Sequence, residues 1–392
     1  MSDRPQLLFL VHRIPYPPDK GDKIRSYNEL LALREWADVT VACFVDDIAD
    51  EQHVGTLREL CKELITVRLR PVPGKLRSLL ALPGGGSLSL AYYRSAEMRN
   101  RLEALGRFDA VLVFSSSMAP YAARIDAPRR VLDLCDLDSE KWAQYAETAS
   151  FPMSLVYGIE GRRLRAYENE ATNAFDASVL VSEAEGETLR GRCPGADVHV
   201  IPNGVDLEYF DPAAIDVEGD DRTISFCGAM DYHSNVDAVC WFHDEIFPLV
   251  RAEVPGARLK IVGSKPAPAV ERLAGSDVEV TGRVPDVRPE ICATAVSVAP
   301  MRLGRGVPNK VLEALSLTLP VVATPNAAAG LALEEFEGAA IAEDPASFAG
   351  AVVAYLRAAA DGRRRYPQHR AVLQSKYSWN RHMKTLRGVL LP

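Results

Sequence analysis

The sequence lacks features that would point to two common classes of protein. None of its seven cysteines forms a CxxC pair, which argues against a structural zinc site and favours dispersed, reduced thiols. Basic residues are in deficit, since 45 lysines and arginines face 53 aspartates and glutamates. A dedicated nucleic-acid-binding protein would normally carry a basic face. The composition therefore argues against both zinc fingers and nucleic-acid binders.

Long hydrophobic runs are also missing. No stretch reaches the length of about 18 apolar residues that a membrane-spanning helix needs. The start of the chain, residues 1–4, is polar and does not resemble a secretion signal. We therefore expect a cytoplasmic protein, with peripheral contact at the inner membrane face left open. The length of 392 residues predicts two or three domains.

Short apolar runs alternate with helical patterns along the chain. Because these runs are continuous, they indicate parallel strands buried on both faces. Two such series are separated by a polar stretch after Asn203-Gly204. This order predicts an α/β protein of two Rossmann-like domains facing each other across a cleft. Strands are expected at residues 6–12, 39–45, 110–114, 130–134, 177–181, 198–201, 223–227, 258–262, 278–281, 296–299 and 320–323.

The same pattern gives the predicted domain boundaries. The N-terminal domain should span residues 1–205 and the C-terminal domain residues 206–370. A last helix, within residues 371–392, should cross back to the N-terminal domain. Inside the second domain, residues 236–250 predict one long helix.

Common nucleotide-binding motifs are absent. No GxGxxG follows the first strand, which weakens a dehydrogenase interpretation, and there is no Walker A motif. The most informative stretch is instead residues 299–324, where a strand leads through Gly304 and Gly306 to a helix beginning near Pro308. Glycines and a helix N-terminus both favour a bound anion. Three cations lie in the same loop and first turn: Arg302, Arg305 and Lys310.

This stretch predicts a diphosphate site. Glu313 follows Lys310 by three residues, so its carboxylate could accept hydrogen bonds from a ribose diol. The alternative interpretation is a solvated basic loop with Glu313 on the helix surface.

Residues 299–324 resemble the C-terminal motif of the retaining glycosyltransferases of family 4, which have the GT-B fold. In that family an acid, seven further residues and a Glu lead into an Ala-rich helix and a Pro-Val-Val-Ala strand. Glu313-Ala314-Leu315 and residues 320–324 fit that pattern. Other stretches resemble the family in the same order along the chain: residues 176–183, 200–206 with Phe210, 226–228 and 281–284.

The resemblance implies a metal-independent, retaining hexosyltransferase. Such an enzyme moves a sugar from a UDP- or GDP-linked nucleotide sugar to a glycan or lipid-linked acceptor, without another cofactor. The N-terminal domain would then take the acceptor and the C-terminal domain the donor. Residues 12–25 (HRIPYPPDKGDKIR) and 136–142 (DLDSEKW) are similar to transferases of exopolysaccharide and PEP-CTERM export systems. This similarity implies a role in exopolysaccharide or cell-surface polysaccharide synthesis.

Two departures from the family pattern affect the predicted site. Arg305 occupies the position of the first acid, and residues 228–235 lack the Arg and Lys that family members commonly carry there. We infer that Arg302, Arg305 and Lys310 supply this charge and act as the catalytic cations, because a diphosphate needs cationic partners. The resemblance implies further contacts to the donor, from Gly21, Gly228, Arg283, Val284, Gly304, Gly306 and Glu313.

Two other clusters can each be interpreted either as structural or as functional. Asp133, Asp136 and Asp138 could form a metal cluster, but the family needs no metal. We expect them to orient the acceptor or to cap the following helix, and we predict no metal site. The cations and leucines of residues 62–82 could dock on an anionic membrane or form an ordinary basic loop.

Alternative functions stay open at this point. An epimerase of the same fold would change the nucleotide sugar without an acceptor. A non-catalytic protein that binds a nucleotide or glycan would show binding without turnover, and the replacement of an acid by Arg305 favours this alternative.

Overall fold

The computed structural model describes residues 4–70, 74, 77, 78, 80, 81, 83–303 and 308–391. The chain forms two compact units. Unit 1 contains Met1–Pro202 and His382–Pro392, and unit 2 contains Asn203–Arg381. No helix in the described parts of the chain combines the length and the apolar composition needed to cross a membrane.

Unit 1 is built on a parallel sheet of seven strands. The strands lie in the order β3-β2-β1-β4-β5-β6-β7. The central ones consist almost entirely of buried residues, as the continuous apolar runs predicted. Their bounds are β1 Gln6–Val11, β2 Asp38–Val45, β3 Glu63–Arg68, β4 Ala110–Phe114, β5 Arg130–Cys135, β6 Ala177–Leu180 and β7 Val198–Val200.

Helices connect these strands. They bury their apolar faces against the sheet, for example through Leu30, Leu33 and Leu189. Among the described residues before Asn203, the helices with defined bounds are α1 Gly21–Trp36, α2 Val54–Glu59, α3 Leu88–Tyr92, α4 Ala96–Glu103, α5 Ala119–Ala122, α6 Asp138–Thr148, α7 Met153–Ala174 and α8 Glu183–Arg192. Two 3-10 turns cover Ile48–His53 and Ser116–Met118.

Unit 2 has its own parallel sheet of six strands, in the order β10-β9-β8-β11-β12-β13. Phe226, Ile261 and Val298 place apolar side chains from three of its strands in one buried core. The strand bounds are β8 Thr223–Cys227, β9 Arg258–Val262, β10 Val278–Gly282, β11 Val296–Ala299, β12 Val321–Ala323 and β13 Ala339–Ile341.

The α-helices after Asn203 complete the chain. They are α9 His233–Trp241, α10 Phe247–Glu253, α11 Pro268–Glu271, α12 Val287–Cys292, α13 Asn309–Ser316, α14 Pro325–Ala328, α15 Pro345–Ala360, α16 His369–Lys376 and α17 Trp379–Leu390. Two 3-10 turns cover Pro212–Ala214 and Leu333–Glu335. The helix predicted over residues 236–250 is wrong in detail, because a π-helical turn at Phe242–Ile246 divides it into α9 and α10.

Each sheet has one place where its strand order reverses. In unit 1 the chain leaves β1 for β2 on one side and later returns to β4 on the other. In unit 2 the corresponding pair is β8 and β11. Open parallel sheets bind ligands at the carboxyl ends of the strands at such a reversal. These two edges are therefore where functional side chains are expected.

Candidate functional site

Lys310 is the central residue at the reversal of the unit 2 sheet. It lies in the first turn of α13, which follows the loop after β11. Its ammonium group donates to Asn235 Oδ1 at 2.6 Å and lies 4.2 Å from the centre of the Phe226 ring. It also lies 3.6 Å from Met301 Sδ. Within the described residues, no carboxylate oxygen comes within 4 Å of this ammonium group.

The surroundings of Lys310 change its acid–base behaviour. Burial lowers the pKa of Lys310 to about 8, and the charges that Cys227 and Glu313 can carry offset only part of that effect. A lysine held in this way has little electrostatic compensation from the protein itself. It can accommodate an anion at small cost.

Gly228 lies beside this ammonium group, one residue after β8. A methyl group on Gly228 would come within 2.7 Å of Asn235 Nδ2 and 3.2 Å of Lys310 Nζ. Gly263, directly after the neighbouring strand β9, also packs closely here, because a methyl group on it would lie only 1.7 Å from the carbonyl oxygen of Gly228. Gly263 therefore cannot carry a side chain without a shift of the backbone, whereas a side chain on Gly228 would displace Asn235 and crowd Lys310.

Glu313 lies one turn further along α13, on the same face as Lys310. Burial raises the pKa of its carboxyl group to about 7, and the positive charge of Lys310 lowers it only in part. The described residues supply no hydrogen-bond donor to this carboxylate. Glu313 is thus a half-buried acceptor that changes its charge near neutral pH.

Arg302 does not join this group, although Met301 beside it does. Its guanidinium group binds Asp237 of α9 through two hydrogen bonds of 3.1 and 2.5 Å. It also lies 5.2 Å from the centre of the Trp241 ring. Of the three predicted catalytic cations, only Lys310 is thus seen beside Gly228. Arg305 lies outside the described residues, together with Gly304 and Gly306.

Arg283 and Val284 follow β10 at the same edge of the sheet. Because β10 is two strands away from β8, they lie about 10 Å from Gly228 along the edge. The backbone turns sharply here, since Gly282 has a φ of 67°. Val284 packs against the core of unit 2, whereas Arg283 is exposed. That separation is compatible with the two ends of a nucleoside diphosphate.

Asn235 and Tyr209 belong to this region but carry no signal in the sequence motifs. Asn235 holds Lys310 and donates to the carbonyl oxygen of Ala229 at 2.9 Å. The Tyr209 ring lies 3.9 Å from the Arg288 guanidinium group, and burial, with smaller contributions from the charges of Asp286 and Glu313, raises the pKa of Tyr209. The clue to Asn235 in the sequence is that it is a polar residue soon after Gly228, at the end of β8, where the strand order reverses.

A polar cluster occupies the corresponding edge in unit 1. Gly21, predicted from the sequence, is the first residue of α1 directly after the loop from β1. Asp22 accepts from Arg13 Nη1 at 2.9 Å and lies 3.2 Å from His12 Nε2. Arg13 also donates to Asp46 at 3.0 Å. Burial would raise the pKa of Asp22, but His12 and Arg13 hold it well below its usual range.

His12 was not predicted as a site residue. Its ring stacks on Phe114, at the end of β4, with ring centres 5.7 Å apart. Its Nδ1 atom is buried and has no hydrogen-bond partner in the described chain. The position of His12 directly after β1 could have indicated this role, because β1 and β4 form the reversal of the sheet.

Two parts of the chain match protein-family models. Residues 221–358 match the model described as Glycosyl transferases group 1, and residues 148–209 match the one described as Glycosyltransferase Family 4. The chain is a glycosyltransferase. The comparison with curated proteins found no match.

The fold of the glycosyltransferase matches solved structures over nearly the whole chain. Sucrose-phosphate synthase from Thermosynechococcus elongatus is 18% identical, with a TM-score of 0.73 and 98% of each chain covered. HepE of Anabaena, in complex with UDP and glucose, is 15% identical with a TM-score of 0.64, covering 98% of this chain and 99% of its own. TarM of S. aureus, with fondaparinux, alpha-GlcNAc-glycerol and UDP, is 11% identical with a TM-score of 0.68, covering 99% and 100%. The two parallel-sheet α/β units therefore have the GT-B fold.

The three aspartates in and directly after β5 have separate roles in the glycosyltransferase. Asp133 is fully buried and binds Arg25 of α1 at 2.6 Å. Asp136 and Asp138 instead lie 3.8 and 3.0 Å from the ammonium group of Lys141. Asp133 thus joins α1 to the sheet, and the other two form ion pairs at the start of α6.

Two cations of the basic segment predicted at residues 62–82 lie at opposite ends of β3. Lys62 precedes β3 and contacts Asp38 at 3.3 Å, whereas Arg68 ends the strand and contacts Glu51 at 3.1 Å. Both cations are thus paired with acids. Lys75 lies outside the described residues, so that part of the prediction is untested.

Proposed function

We propose that the enzyme transfers a sugar, with retention at the anomeric carbon, from a nucleotide sugar to a glycan or lipid-linked acceptor. The observation that carries this proposal is the Lys310 ammonium group at the reversal of the unit 2 sheet. It is half-buried, lacks a carboxylate partner among the described residues, and lies against the side-chain-free end of β8.

The donor diphosphate is the ligand that complements this arrangement. A half-buried ammonium group without a counter-charge is unfavourable, and a bound phosphate removes that cost. The N-terminus of α13 adds a partial positive charge at the same place. Gly228 lets phosphate oxygens approach the backbone, because any side chain there would displace Asn235.

Glu313 is proposed to bind the ribose of the nucleotide. Its half-buried carboxylate has acceptor capacity that the described protein groups do not use, and a vicinal diol supplies two donors. Arg283 and Val284 would then lie beside the base. We propose a UDP- or GDP-linked donor, and the likeness to structures that contain UDP favours UDP.

The proposed chemistry follows from stabilisation of the leaving group. The bond between the anomeric carbon and the diphosphate oxygen breaks, and a bond to the acceptor hydroxyl forms on the same face of the sugar. Lys310, with Arg305 as a further predicted cation, would stabilise the negative charge on the departing diphosphate. In the mechanism that the family resemblance implies, a phosphate oxygen takes the acceptor proton. Neither a metal nor a side-chain nucleophile is then needed.

The proposed setting is exopolysaccharide or cell-surface polysaccharide synthesis, in the cytoplasm at the inner face of the membrane. The similarity of residues 12–25 and 136–142 to export-associated transferases supports this setting. His12, Arg13 and Asp22 in the first of these stretches form the polar cluster of unit 1, which is where we propose that the acceptor binds.

A thermal-shift panel of UDP-, GDP-, ADP- and TDP-sugars tests the donor proposal. A specific donor at about 100 times its Kd should stabilise the native enzyme by about 2.7 kcal/mol. Lys310→Ala should abolish the shift without lowering the Tm of the unliganded protein. Absence of any shift would contradict the proposal, and epimerised donor formed without an acceptor would favour an epimerase instead.

A further inference from the structure

The helical hairpin of unit 1 carries an apolar surface that the transfer reaction does not explain. Helices α6 and α7 are joined by a short connection and pack against each other along their length. Trp142 of α6 and Tyr157 of α7 hold them together, with ring centres 5.3 Å apart. The outer end of the hairpin is the connection and the first turn of α7.

Three large apolar side chains are exposed at this end, which we call the hairpin tip. Phe151 is 80% exposed, Leu155 is 54% exposed and Met153 is 42% exposed. No residue from Ala149 to Ile159 carries a charge. Adjacent exposed apolar groups of this size typically mark a surface that binds a membrane or another protein.

Cations follow the tip along the same helix. Arg162 is exposed and comes seven residues after Leu155, two turns further on the same face. Arg163 donates to the carbonyl oxygen of Gly86 at 2.9 Å. Neither arginine lies within salt-bridge distance of a carboxylate in the described residues. Arg162 lies about 13 Å along the helix axis from Met153.

The acid nearest to these cations on α7 is turned inward. Glu160 is fully buried and accepts hydrogen bonds from Ser87 Oγ at 2.7 Å and from the backbone amides of Leu88 and Ser89 at 2.6 and 3.0 Å. Its charge is thus compensated by the start of α3. The outer face of α7 beyond the tip is therefore cationic at Arg162.

A fourth exposed apolar side chain comes before α3, in the part of the chain that contacts Arg163. Leu80 is 72% exposed. Its neighbour Ala81 accepts a hydrogen bond from the amide of Gly86 at 3.0 Å, and Gly86 in turn is bound by Arg163. Leu80 is thus connected to the cationic part of α7 through these contacts.

We propose that the hairpin tip, with Leu80 and Arg162, docks the enzyme on an anionic lipid bilayer. Apolar side chains at the end of a helical hairpin can enter the boundary between headgroups and acyl chains to a depth of about 5–10 Å. Arg162 would then lie at the level of the anionic phosphates, which attract cations near the surface. This order of apolar groups followed by a cation is the charge complementarity that favours lipid over a protein partner. The inference rests on the membrane setting proposed above and on no part of the transfer chemistry.

Co-sedimentation of the full-length protein with vesicles tests the surface. The vesicles are phosphatidylcholine alone, or phosphatidylcholine with about one-third phosphatidylglycerol. The wild type should bind the anionic vesicles, and the Phe151→Ser/Met153→Ser/Leu155→Ser variant should lose at least about tenfold in partition coefficient. The partition coefficient of Arg162→Gln should fall about fivefold on the anionic vesicles and stay unchanged on phosphatidylcholine. Ile48→Ser is the matched control, because Ile48 is 70% exposed elsewhere in unit 1 and its loss should change nothing.

The possible outcomes are decisive. Wild type that stays in the supernatant with both vesicles, or a triple variant that binds as the wild type does, overturns the proposal. A third outcome would assign the hairpin tip to contact with a second copy of the chain. In that case neither protein binds vesicles, and sedimentation velocity shows a dimeric wild type and a monomeric triple variant. The donor-induced thermal shift, measured in parallel, should be the same for all variants. A failed membrane-binding test is thereby distinguished from a failed donor-binding test. If the triple variant does not fold, Phe151→Ser replaces it.

Discussion

At the scale of single residues, Lys310 and Arg302 provide a matched pair of cations from the same region of the chain. Lys310 has no carboxylate partner among the described residues, whereas Arg302 is already bound by Asp237. Lys310→Ala should lower kcat/KM by about 10²-fold or more, as the loss of a group that stabilises developing charge does. Arg302→Ala should cost less than about tenfold, because a paired cation contributes less to the transition state. Steady-state kinetics with the identified donor checks both, and equal losses would contradict the assignment.

Gly228 gives a second residue-scale prediction. A methyl group there would collide with Asn235 and crowd the Lys310 ammonium group. Gly228→Ala should therefore raise the donor Kd by about tenfold or more, since the cation that binds the diphosphate is displaced. Calorimetric titration with the donor measures this. Gly350→Ala is the control, because a methyl group at Gly350 meets nothing within 4 Å.

The pKa shifts predict how activity depends on pH. Burial raises the pKa of Glu313 to about 7 and lowers that of Lys310 to about 8. Donor binding needs the ionised carboxylate, which is lost as pH falls through about 7, and the charged ammonium group, which is lost as pH rises through about 8. The pH profile of kcat/KM should thus be bell-shaped with a narrow maximum between these values. In Glu313→Gln the acid limb should disappear; if it persists unchanged, Glu313 is not its origin.

At the scale of elements, the sequence was informative where a strand is buried on both faces. The predictions for β4, β8, β9 and β11 match the observed bounds, because each is a short, mostly apolar run between polar, turn-forming segments. β3 was missed. It is an edge strand in which Ile65 and Val67 are buried and both end residues are exposed, so its apolar signal is weak.

Two further elements were not predicted from the sequence, each for a physical reason. β13 is a three-residue edge strand whose sequence, Ala339–Ile341, contains two alanines and so has little strand preference. The π-helical turn at Phe242–Ile246 leaves the apolar spacing of its helix almost unchanged, so periodicity cannot reveal it. Asn235 and His12 were missed because their roles depend on which strands become neighbours at a reversal. A single sequence does not give that order.

At the scale of the whole molecule, the chain returns to its first unit at the end. His382–Pro392 belongs to unit 1, where Leu386 is fully buried and Arg129 Nε donates to the carbonyl oxygen of Val389 at 3.0 Å. Leu386→Ala should lower the free energy of unfolding by about 2–5 kcal/mol, as the loss of a buried leucine side chain does. Thermal and denaturant unfolding measure the change. Gly388→Ala, on the same helix with open space around it, is the control and should not lower stability, because alanine favours a helix more than glycine does.

The return of the chain has a consequence for biosynthesis. Unit 2 is continuous and has its full sequence once Arg381 has left the ribosome. Unit 1 begins earlier but cannot fill its core until the segment that contains Leu386 and Leu390 is released. The half of the protein that is translated first is therefore the half that finishes folding last. A chain truncated after Arg381 would hold a complete unit 2 and a unit 1 that still exposes apolar surface.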